Sequence, residues 1–247
     1  MKIICAGLGK TGTKSISKAL RHLGFTVFDY EEQVFDFLDH WVDVFQNGAK
    51  PDVKRLYQDV DAVVDAPGNI FWEEILEAFP DSQVILSERD EDSWLKSLTN
   101  QLEVVYSVPK YQRFYRTILS PTSRKMAFVN NSWLNSALGT SNQKSTCVIR
   151  KRYRAHNHRV KSLVPPEKLL VYNVNEGWKP LCDFLGCEVP TAAFPHENVK
   201  GEYFKLLLSA TRYGKQCIWE IQMAVFVILS VIVAIIATFL VLFYNYF

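Results

Sequence analysis

Residues 7–15 read GLGKTGTKS and follow directly on the short apolar run IICA at residues 3–6. Glycines, hydroxyl residues and lysines between a strand and a helix are typical of a phosphate-binding loop, because backbone N–H groups and a helix N-terminus favour anions. The same nine residues fit three different phosphate ligands. The rest of the chain has to discriminate among them.

The first interpretation is a dinucleotide. Three glycines spell G-x-G-x-x-G, namely Gly7, Gly9 and Gly12. Asp29 ends the next predicted strand, where a ribose-binding acid belongs. Tyr106 and Lys110 form a Tyr-x-x-x-Lys pair such as short-chain dehydrogenases use, but Pro109 would disrupt the helical turn that the pair needs. An NAD(P)-binding oxidoreductase is therefore one alternative.

The second interpretation is a nucleoside triphosphate. Read from Gly7, the loop nearly spells G-x-x-x-x-G-K-[ST]. Thr13 occupies the position of the lysine, so Lys14 and Ser15 come one residue late. Asp65 could hold Mg²⁺ at the end of the run AVVD. The slipped lysine counts against this interpretation, because its position fixes where the ammonium meets the phosphate oxygens. A kinase-like nucleotide-binding protein is a further alternative.

Apolar runs alternate with amphipathic segments along the 247 residues. The predicted strands are 2–6, 25–29, 61–65, 83–88 and 168–173. The predicted helices are 13–23, 31–46, 70–79, 91–104, 143–163 and 177–185. This alternation predicts an α/β fold with a mostly parallel sheet and helices on both faces. Residues 105–140 interrupt the rhythm and predict a lid or insertion over the site, or else a packed helical excursion.

Charge and cysteine content point to few partners. The formal net charge of +2 favours no particular ligand. The basic stretch 144–161 is either the solvated face of a helix or a surface that contacts anionic lipid or a nucleotide phosphate. No recognition module accompanies that stretch, so nucleic-acid binding is not expected. The five scattered cysteines predict reduced thiols, and the sequence predicts no metal site.

A second motif lies on the fourth predicted strand, QVILSERD at residues 83–90. The strand ends at Arg89, and Ser97 follows about two helical turns later. Arginine offers a planar fork to phosphate and serine a hydroxyl donor, so the two side chains can converge on one anion. The chain therefore carries two phosphate-binding elements, on its first and fourth strands.

Two separate phosphate sites suit 3′-phosphoadenosine 5′-phosphosulfate (PAPS). The KTGT at residues 10–13, the pair Arg89 and Ser97, and the stretch LLVYNVNEGWKPLCDFLGCEVPTAAFPHEN at 169–198 resemble the sulfotransferase family, in particular a sulfotransferase-like subgroup. The resemblance covers about residues 1–200. It implies a P-loop-like α/β fold. It also implies an enzyme that transfers a sulfuryl group from PAPS to a hydroxyl or amine and that needs no metal. Gly9 stands where the family has proline, and the acceptor-binding histidine motif of cytosolic members is absent.

The resemblance also implies residue roles. Lys10 is the candidate cation for the charge that develops on the leaving phosphate, and Asp65 the candidate base, with a turn or N-cap aspartate as the alternative. Arg89 and Ser97 are predicted to hold the 3′-phosphate. The predicted 5′-phosphate site comprises Gly9, Lys10, Thr11, Gly12, Thr13, Lys14 and Ser15. The expected acceptor is a small molecule or glycan. A catalytically inactive, tail-anchored nucleotide-binding scaffold is the competing class.

Residues 221–244 carry no charge and are long enough to cross a bilayer as one helix. Lys205, Arg212 and Lys215 precede them, and positive residues favour the cytosolic side. No signal peptide is expected, because the first strand begins at once. The sequence thus predicts a sulfotransferase-like domain at 1–205, a juxtamembrane linker at 206–220 and a single transmembrane helix at 221–244. The catalytic domain is expected to face the cytosol.

Overall fold

The computed structural model describes residues 1–196 and 211–246. Five parallel strands form one sheet in the order β2-β3-β1-β4-β5. The strands are β1 (Ile3–Cys5), β2 (Val27–Phe28), β3 (Ala62–Val63), β4 (Gln83–Ser87) and β5 (Leu169–Tyr172). Each lies within a predicted strand, and the predicted parallel α/β fold is confirmed.

Helices connect and cover these strands. They are α1 (Thr13–His22), α2 (Tyr30–Phe35), α3 (Leu38–Asn47), α4 (Val53–Tyr57), α5 (Trp72–Ala78), α6 (Glu91–Tyr106), α7 (Lys110–Leu119), α8 (Pro121–Leu138), α9 (Thr146–Leu163), α10 (Trp178–Leu185) and α11 (Arg212–Tyr246). Short 3₁₀ turns lie at Gly68–Ile70, Pro166–Lys168 and Val174–Glu176. The helices predicted at 13–23, 91–104, 143–163 and 177–185 correspond to α1, α6, α9 and α10.

The predicted single helix at 31–46 is wrong, because the chain forms α2 and α3 with a break between them. In a continuous helix the carbonyl of Gln33 would accept from the backbone four residues on. Here the indole Nε1 of Trp41 donates to it instead, at 2.9 Å. The break lets Val34 and Trp41, both fully buried, pack in the same core.

The core lies on both faces of the sheet, because successive side chains of a strand point to opposite faces. Ile3 and Cys5 of β1 pack with Leu20 of α1 and Leu181 of α10. The opposite face is larger and packs against α3, α5, α8 and α9. Its buried side chains include Ile4, Val84, Leu86, Trp41, Ile75, Val129 and Val160. The predicted helices on both faces are therefore confirmed.

Strand β1 lies at the centre of the sheet, between β3 and β4. The chain leaves β1 toward β2 on one side and leaves β4 toward β5 on the other, so their loops diverge at the carboxyl edge. Such a divergence is where open α/β sheets bind ligands. In the dinucleotide fold β2 adjoins β1, whereas here β3 separates them. The strand order therefore argues against the dinucleotide interpretation.

Residues 105–140 form the end of α6 and the helices α7 and α8. Helix α8 packs against α3 and α9 and buries Met126 and Val129 in the core. Helix α7 buries none of its residues. The segment thus combines a helix that is integral to the fold with one that lies on the surface.

Helix α11 runs without a break from the body of the protein into the uncharged segment. The ring of Tyr213 stacks on Phe35, with centroids 4.9 Å apart, and Cys217 is fully buried. The helix is long and apolar enough to cross a membrane, and its most apolar part is not buried. The predicted linker spans 206–220. Residues 206–210 lie outside the described residues, as does Lys205, and the rest of the linker is almost entirely helical.

Gly7 should be intolerant of a side chain, because an added Cβ would lie 2.8 and 2.9 Å from the carbonyl oxygen and amide nitrogen of Ser87 and would also overlap its hydroxyl. Gly7→Ala should lower the free energy of unfolding by about 2–3 kcal/mol. The matched control is Gly9→Ala, whose Cβ meets nothing closer than Asp65 Oδ1 at 3.8 Å. Thermal unfolding of both variants measures the difference; equal stabilities would contradict this packing.

Candidate active site

A cavity of about 260 Å³ lies between the loops that follow β1, β3 and β4 and the helices α6 and α8. Eight of the ten predicted site residues line it, namely Gly9, Lys10, Gly12, Thr13, Lys14, Asp65, Arg89 and Ser97. Thr11 and Ser15 are buried and are not among the lining residues. The two predicted phosphate-binding elements, which are far apart in sequence, therefore meet at one site.

The loop between β1 and α1 is fixed by hydrogen bonds from three directions. The hydroxyl of Thr11 donates to the Leu8 carbonyl at 2.7 Å and shares a hydrogen bond with the Ser87 hydroxyl. The indole of Trp94 donates to the Gly9 carbonyl at 3.0 Å, and the Asn69 amide donates to the Gly7 carbonyl at 3.1 Å. This loop is a preorganised element rather than a mobile one.

The N-terminus of α1 faces the cavity. The helix begins at Thr13, and its first turn carries no acidic residue, so its exposed amides and dipole favour an anion there. Gly12 has a φ of +104°, and a Cβ at this position would lie 2.9 Å from Val174 Cγ2. Only glycine fits this turn, which explains the sequence motif in physical terms.

Two residues that line the cavity have left-handed backbones. Lys10 has a φ of +76° and Asp65 a φ of +70°, and within 1–196 and 211–246 every other positive φ belongs to a glycine. A left-handed conformation costs a residue with a Cβ about 1–2 kcal/mol, and such strain clusters at functional sites. The strain therefore falls on the two residues that were predicted to be catalytic.

Lys10 is half-buried and faces other charges across the cavity. Burial lowers the pKa of its ammonium, the Asp65 carboxylate opposes this by raising it, and the Arg89 guanidinium lowers it further. The pKa of Lys10 is therefore below that of a free lysine. Two cations close enough to repel each other line one concavity, and an anionic ligand would relieve that repulsion.

Asp65 is held by two hydrogen bonds, from the Thr13 hydroxyl to Oδ2 and from the Ala66 amide to Oδ1, both 2.8 Å long. Burial raises the pKa of its carboxyl group, nearby Asp29 raises it further, and Lys14 lowers it. The net pKa is raised, so the carboxylate is a better proton acceptor than an exposed aspartate. Lys14 is itself paired with Asp29 at 2.9 Å.

Arg89 presents an exposed side chain to the cavity while its backbone is fixed. The hydroxyl of Tyr153 donates to the Arg89 carbonyl at 2.8 Å and accepts from the Arg89 amide at 3.1 Å. The Tyr153 ring stacks on Trp94 with centroids 4.0 Å apart. Trp94 and Tyr153 thus connect the loop after β1 to the loop after β4.

The apolar end of the cavity, which α6 and α8 line, is mostly but not entirely apolar, since Asn130 and Asn131 of α8 also line it. Its lining side chains include Leu98, Leu102, Val105, Trp133, Leu134, Ala137 and Leu138. Among them lies Gln101, whose Oε1 is buried and has no hydrogen-bond partner in the part of the chain described. No motif in the sequence marks this half of the site. The four-residue spacing of Trp94, Leu98 and Leu102 was the available signal, but it equally predicts a core-facing helix stripe.

Comparison with known proteins identifies the family. Residues 2–203 match the family described as the sulfotransferase domain. The chain belongs to the sulfotransferase family. It is also 31% identical to "Ava biosynthesis cluster protein M" of Aspergillus versicolor, over 79% of this chain and 80% of that protein. Membership of this family indicates that the protein is a transferase that acts on a small-molecule acceptor.

Family membership and geometry together weaken the dinucleotide interpretation. Tyr106 ends α6 and Lys110 begins α7, so the Tyr-x-x-x-Lys pair does not share a helical turn. Asp29 caps α2 through a hydrogen bond that its carboxylate accepts from Tyr30 N, and it pairs with Lys14. Neither the Tyr-x-x-x-Lys pair nor Asp29 is thus arranged as the oxidoreductase interpretation requires.

The basic stretch 144–161 lies mainly on α9, and many of its charges pair with acids on neighbouring elements. Arg150 and Arg154 pair with Glu91, Arg159 with Glu73 and Lys161 with Glu88. His156 Nε2 lies 2.7 Å from the Ala6 carbonyl, and burial lowers the pKa of its ring. These contacts support a structural role for the stretch rather than phosphate or lipid binding.

The left-handed backbone at Lys10 predicts an unusual order of stabilities. Lys10→Gly should be about 1 kcal/mol more stable than Lys10→Ala, because alanine retains the strain that glycine relieves. At Lys18, within α1, the order should reverse by a similar amount, since glycine is the poorer helix former. Thermal unfolding of the four variants tests this prediction. If Lys10→Ala is at least as stable as Lys10→Gly, the backbone at position 10 is not strained.

Proposed function

We propose that this protein transfers a sulfuryl group from PAPS to the hydroxyl or amine of a small, largely apolar acceptor. The observation that carries the proposal is the convergence of Lys10, Asp65, Arg89 and Ser97 on one cavity that has an apolar end. The sulfotransferase domain match supports the same chemistry.

The residues present fit such a donor. PAPS carries a phosphosulfate on the 5′ side of its ribose and a phosphate on the 3′ side, and it supplies the sulfuryl group. The loop after β1 and the start of α1 are proposed to bind the 5′ side, through backbone amides and the ammonium of Lys10. Arg89 and Ser97 are proposed to bind the 3′-phosphate, because a guanidinium fork and a hydroxyl suit an anion.

Lys10 is proposed to act mainly in the transition state. Negative charge grows on the leaving phosphate oxygen as the sulfuryl group departs, so a fixed cation there lowers the barrier more than it strengthens ground-state binding. Partial burial puts the Lys10 ammonium in surroundings of reduced polarity, where its charge acts more strongly on a developing negative charge. Arg89, which also lines the cavity, is then available for binding.

Asp65 is proposed to accept the proton of the acceptor hydroxyl or amine. Its raised pKa favours proton uptake, and the hydrogen bonds from Thr13 and Ala66 fix the orientation of the carboxylate. Each carboxylate oxygen has further lone pairs for an acceptor proton. The proton moves to Asp65 as the acceptor oxygen or nitrogen forms its bond to sulfur.

The acceptor is proposed to occupy the apolar end between α6 and α8. Leucine and tryptophan side chains there favour an apolar body, and the unpartnered Oε1 of Gln101 offers one hydrogen-bond acceptor. The sulfotransferase domain match supports a small-molecule acceptor.

The location is proposed from α11. Its apolar segment would cross a membrane once, with Arg212 and Lys215 on the side of the body. Positive flanking residues favour the cytosolic side. The protein is therefore proposed to be C-terminally anchored, with the catalytic domain in the cytosol.

Arg89→Ala should weaken binding of 3′,5′-ADP, the donor product, about tenfold or more, since charge-assisted hydrogen bonds contribute roughly 1.5–3 kcal/mol. Affinity for 5′-AMP, which lacks the 3′-phosphate, should barely change. Calorimetry on the full chain in detergent measures both constants, and turnover of labelled PAPS separates an enzyme from a scaffold that only binds.

Lys96→Ala is the matched control for Arg89→Ala. It removes one cation from α6, the helix that follows Arg89, but Lys96 does not line the cavity, so both nucleotides should bind as in the unmodified protein. Equal losses of 3′,5′-ADP and 5′-AMP affinity in Arg89→Ala would mean that the guanidinium supports the fold and not a 3′-phosphate.

Asp65→Asn should reduce turnover roughly 10²–10⁴-fold, with little change in 3′,5′-ADP affinity. Asp65 must be ionised to act as the base, so turnover of the unmodified enzyme should fall as the pH is lowered through the pKa of Asp65. Because that pKa is raised, the fall should occur above the ordinary aspartate pKa of about 3.9. A raised pKa also means that the folded state disfavours the ionised form of Asp65. The free energy of unfolding should therefore fall as the pH rises through that pKa. Asp65→Asn should therefore not be less stable at neutral pH.

The control for Asp65→Asn is Asp61→Asn at the opposite end of β3. Asp61 accepts from Thr26 N and pairs with Lys2, far from the cavity lining, so its loss should affect stability and not turnover. If Asp65→Asn transfers sulfate at nearly the unmodified rate, Asp65 is a turn residue and another group is the base.

A further inference from the structure

Helix α7 presents an apolar face that the described protein leaves uncovered. None of its residues is buried, and four large side chains are exposed by 41–68%. They are Tyr111, Phe114, Tyr115 and Ile118. The spacing i, i+3, i+4 and i+7 places all four on one face of the helix. A contiguous exposed apolar face of this kind indicates a partner surface.

The position of α7 identifies the kind of surface. The helix packs against α8 and against α11. Its C-terminal end is tied to α11 because Ser120, the residue after the helix, donates to the carboxylate of Glu220, which also accepts from Thr122. Glu220 is the residue directly before the uncharged segment that begins at Ile221. The end of α7 is thus held at the level where the apolar part of α11 begins.

The charge of α7 matches an anionic surface. The helix carries Lys110, Arg113 and Arg116 and no acidic residue. Between Glu103 and Glu167 the sequence contains no Asp or Glu at all. Apolar residues on one face with interspersed cations are typical of helices that lie in the headgroup region of an anionic bilayer.

We propose that α7 lies in the headgroup region of the membrane that α11 crosses, with its apolar face toward the acyl chains and its cations toward anionic lipid. The inference rests on the proposed membrane anchor. It also connects the bilayer to the site: Tyr106 lines the cavity, and the Arg113 guanidinium of α7 lies 5.3 Å from the Tyr106 ring. A lipid-bound α7 would therefore contact one wall of the cavity.

Site-specific photo-crosslinking in the full chain tests this. The chain, with p-benzoylphenylalanine at position 114 or 118, is reconstituted into phosphatidylcholine vesicles with and without phosphatidylserine, one lipid being radiolabelled. Phe239 in the apolar part of α11 is the positive control, and Val189, an exposed apolar residue just after α10, is the matched negative control. Positions 114 and 118 should give lipid adducts at roughly tenfold or more the yield of position 189.

The outcomes separate the two proposals. Adducts at 239 without adducts at 114 and 118 would leave the anchor standing and overturn the role of α7. The absence of adducts at 239 would overturn the anchor itself, and the role of α7 with it. A protein–protein adduct from 114 in place of a lipid adduct would assign the apolar face to a second copy of the chain.

Charge reversal provides a second readout of the same proposal. Arg116→Glu should reduce the lipid adduct at 114 roughly fivefold in vesicles that contain phosphatidylserine, and much less in phosphatidylcholine alone. Lys151→Glu is the matched control, because Lys151 is an exposed cation on α9, outside α7. An equal reduction in both kinds of vesicle would contradict an electrostatic contact with anionic lipid.

Discussion

The close contact between the end of β1 and the end of β4 is the constraint on which the site depends. Gly7 lies so near the backbone of Ser87 that no side chain fits between them, and the hydroxyls of Thr11 and Ser87 share a hydrogen bond. This contact fixes where the chain turns, so that Lys10 and the start of α1 face the cavity. Arg89, two residues after Ser87, is brought to the same cavity because β1 and β4 are neighbours in register.

Local patterns were sufficient to predict the sheet and the two polar elements, because each depends on residues that are close in sequence. The break between α2 and α3 could not be predicted that way, since it depends on the Trp41 indole reaching the carbonyl of Gln33. The apolar end of the cavity was missed for a similar reason. Leu98 and Leu134 lie on helices that converge only after folding. The partners of the basic α9 likewise lie 59 or more positions away.

The polar half of the site combines strain with unfavourable burial. Lys10 and Asp65 have left-handed backbones, and desolvation disfavours the charged form of each. The surrounding body compensates through well-packed elements such as the stacked Trp94 and Tyr153. A rigid scaffold that supports a destabilised site is the usual arrangement in enzymes, where stability and activity compete. The same arrangement explains why the loop is fixed from several directions rather than free to move.

The unbroken course of α11 has a mechanical consequence. A helix of 35 residues measures about 52 Å, and its first nine residues lie on the body of the protein. If α11 crosses a membrane as proposed, it would transmit rotation and tilt between the bilayer and the body, because the helix continues unbroken from one to the other. In a bilayer the cavity would keep a constant height and orientation. Encounters with acceptors in the same membrane would then depend on lateral diffusion in two dimensions and not on diffusion through solution.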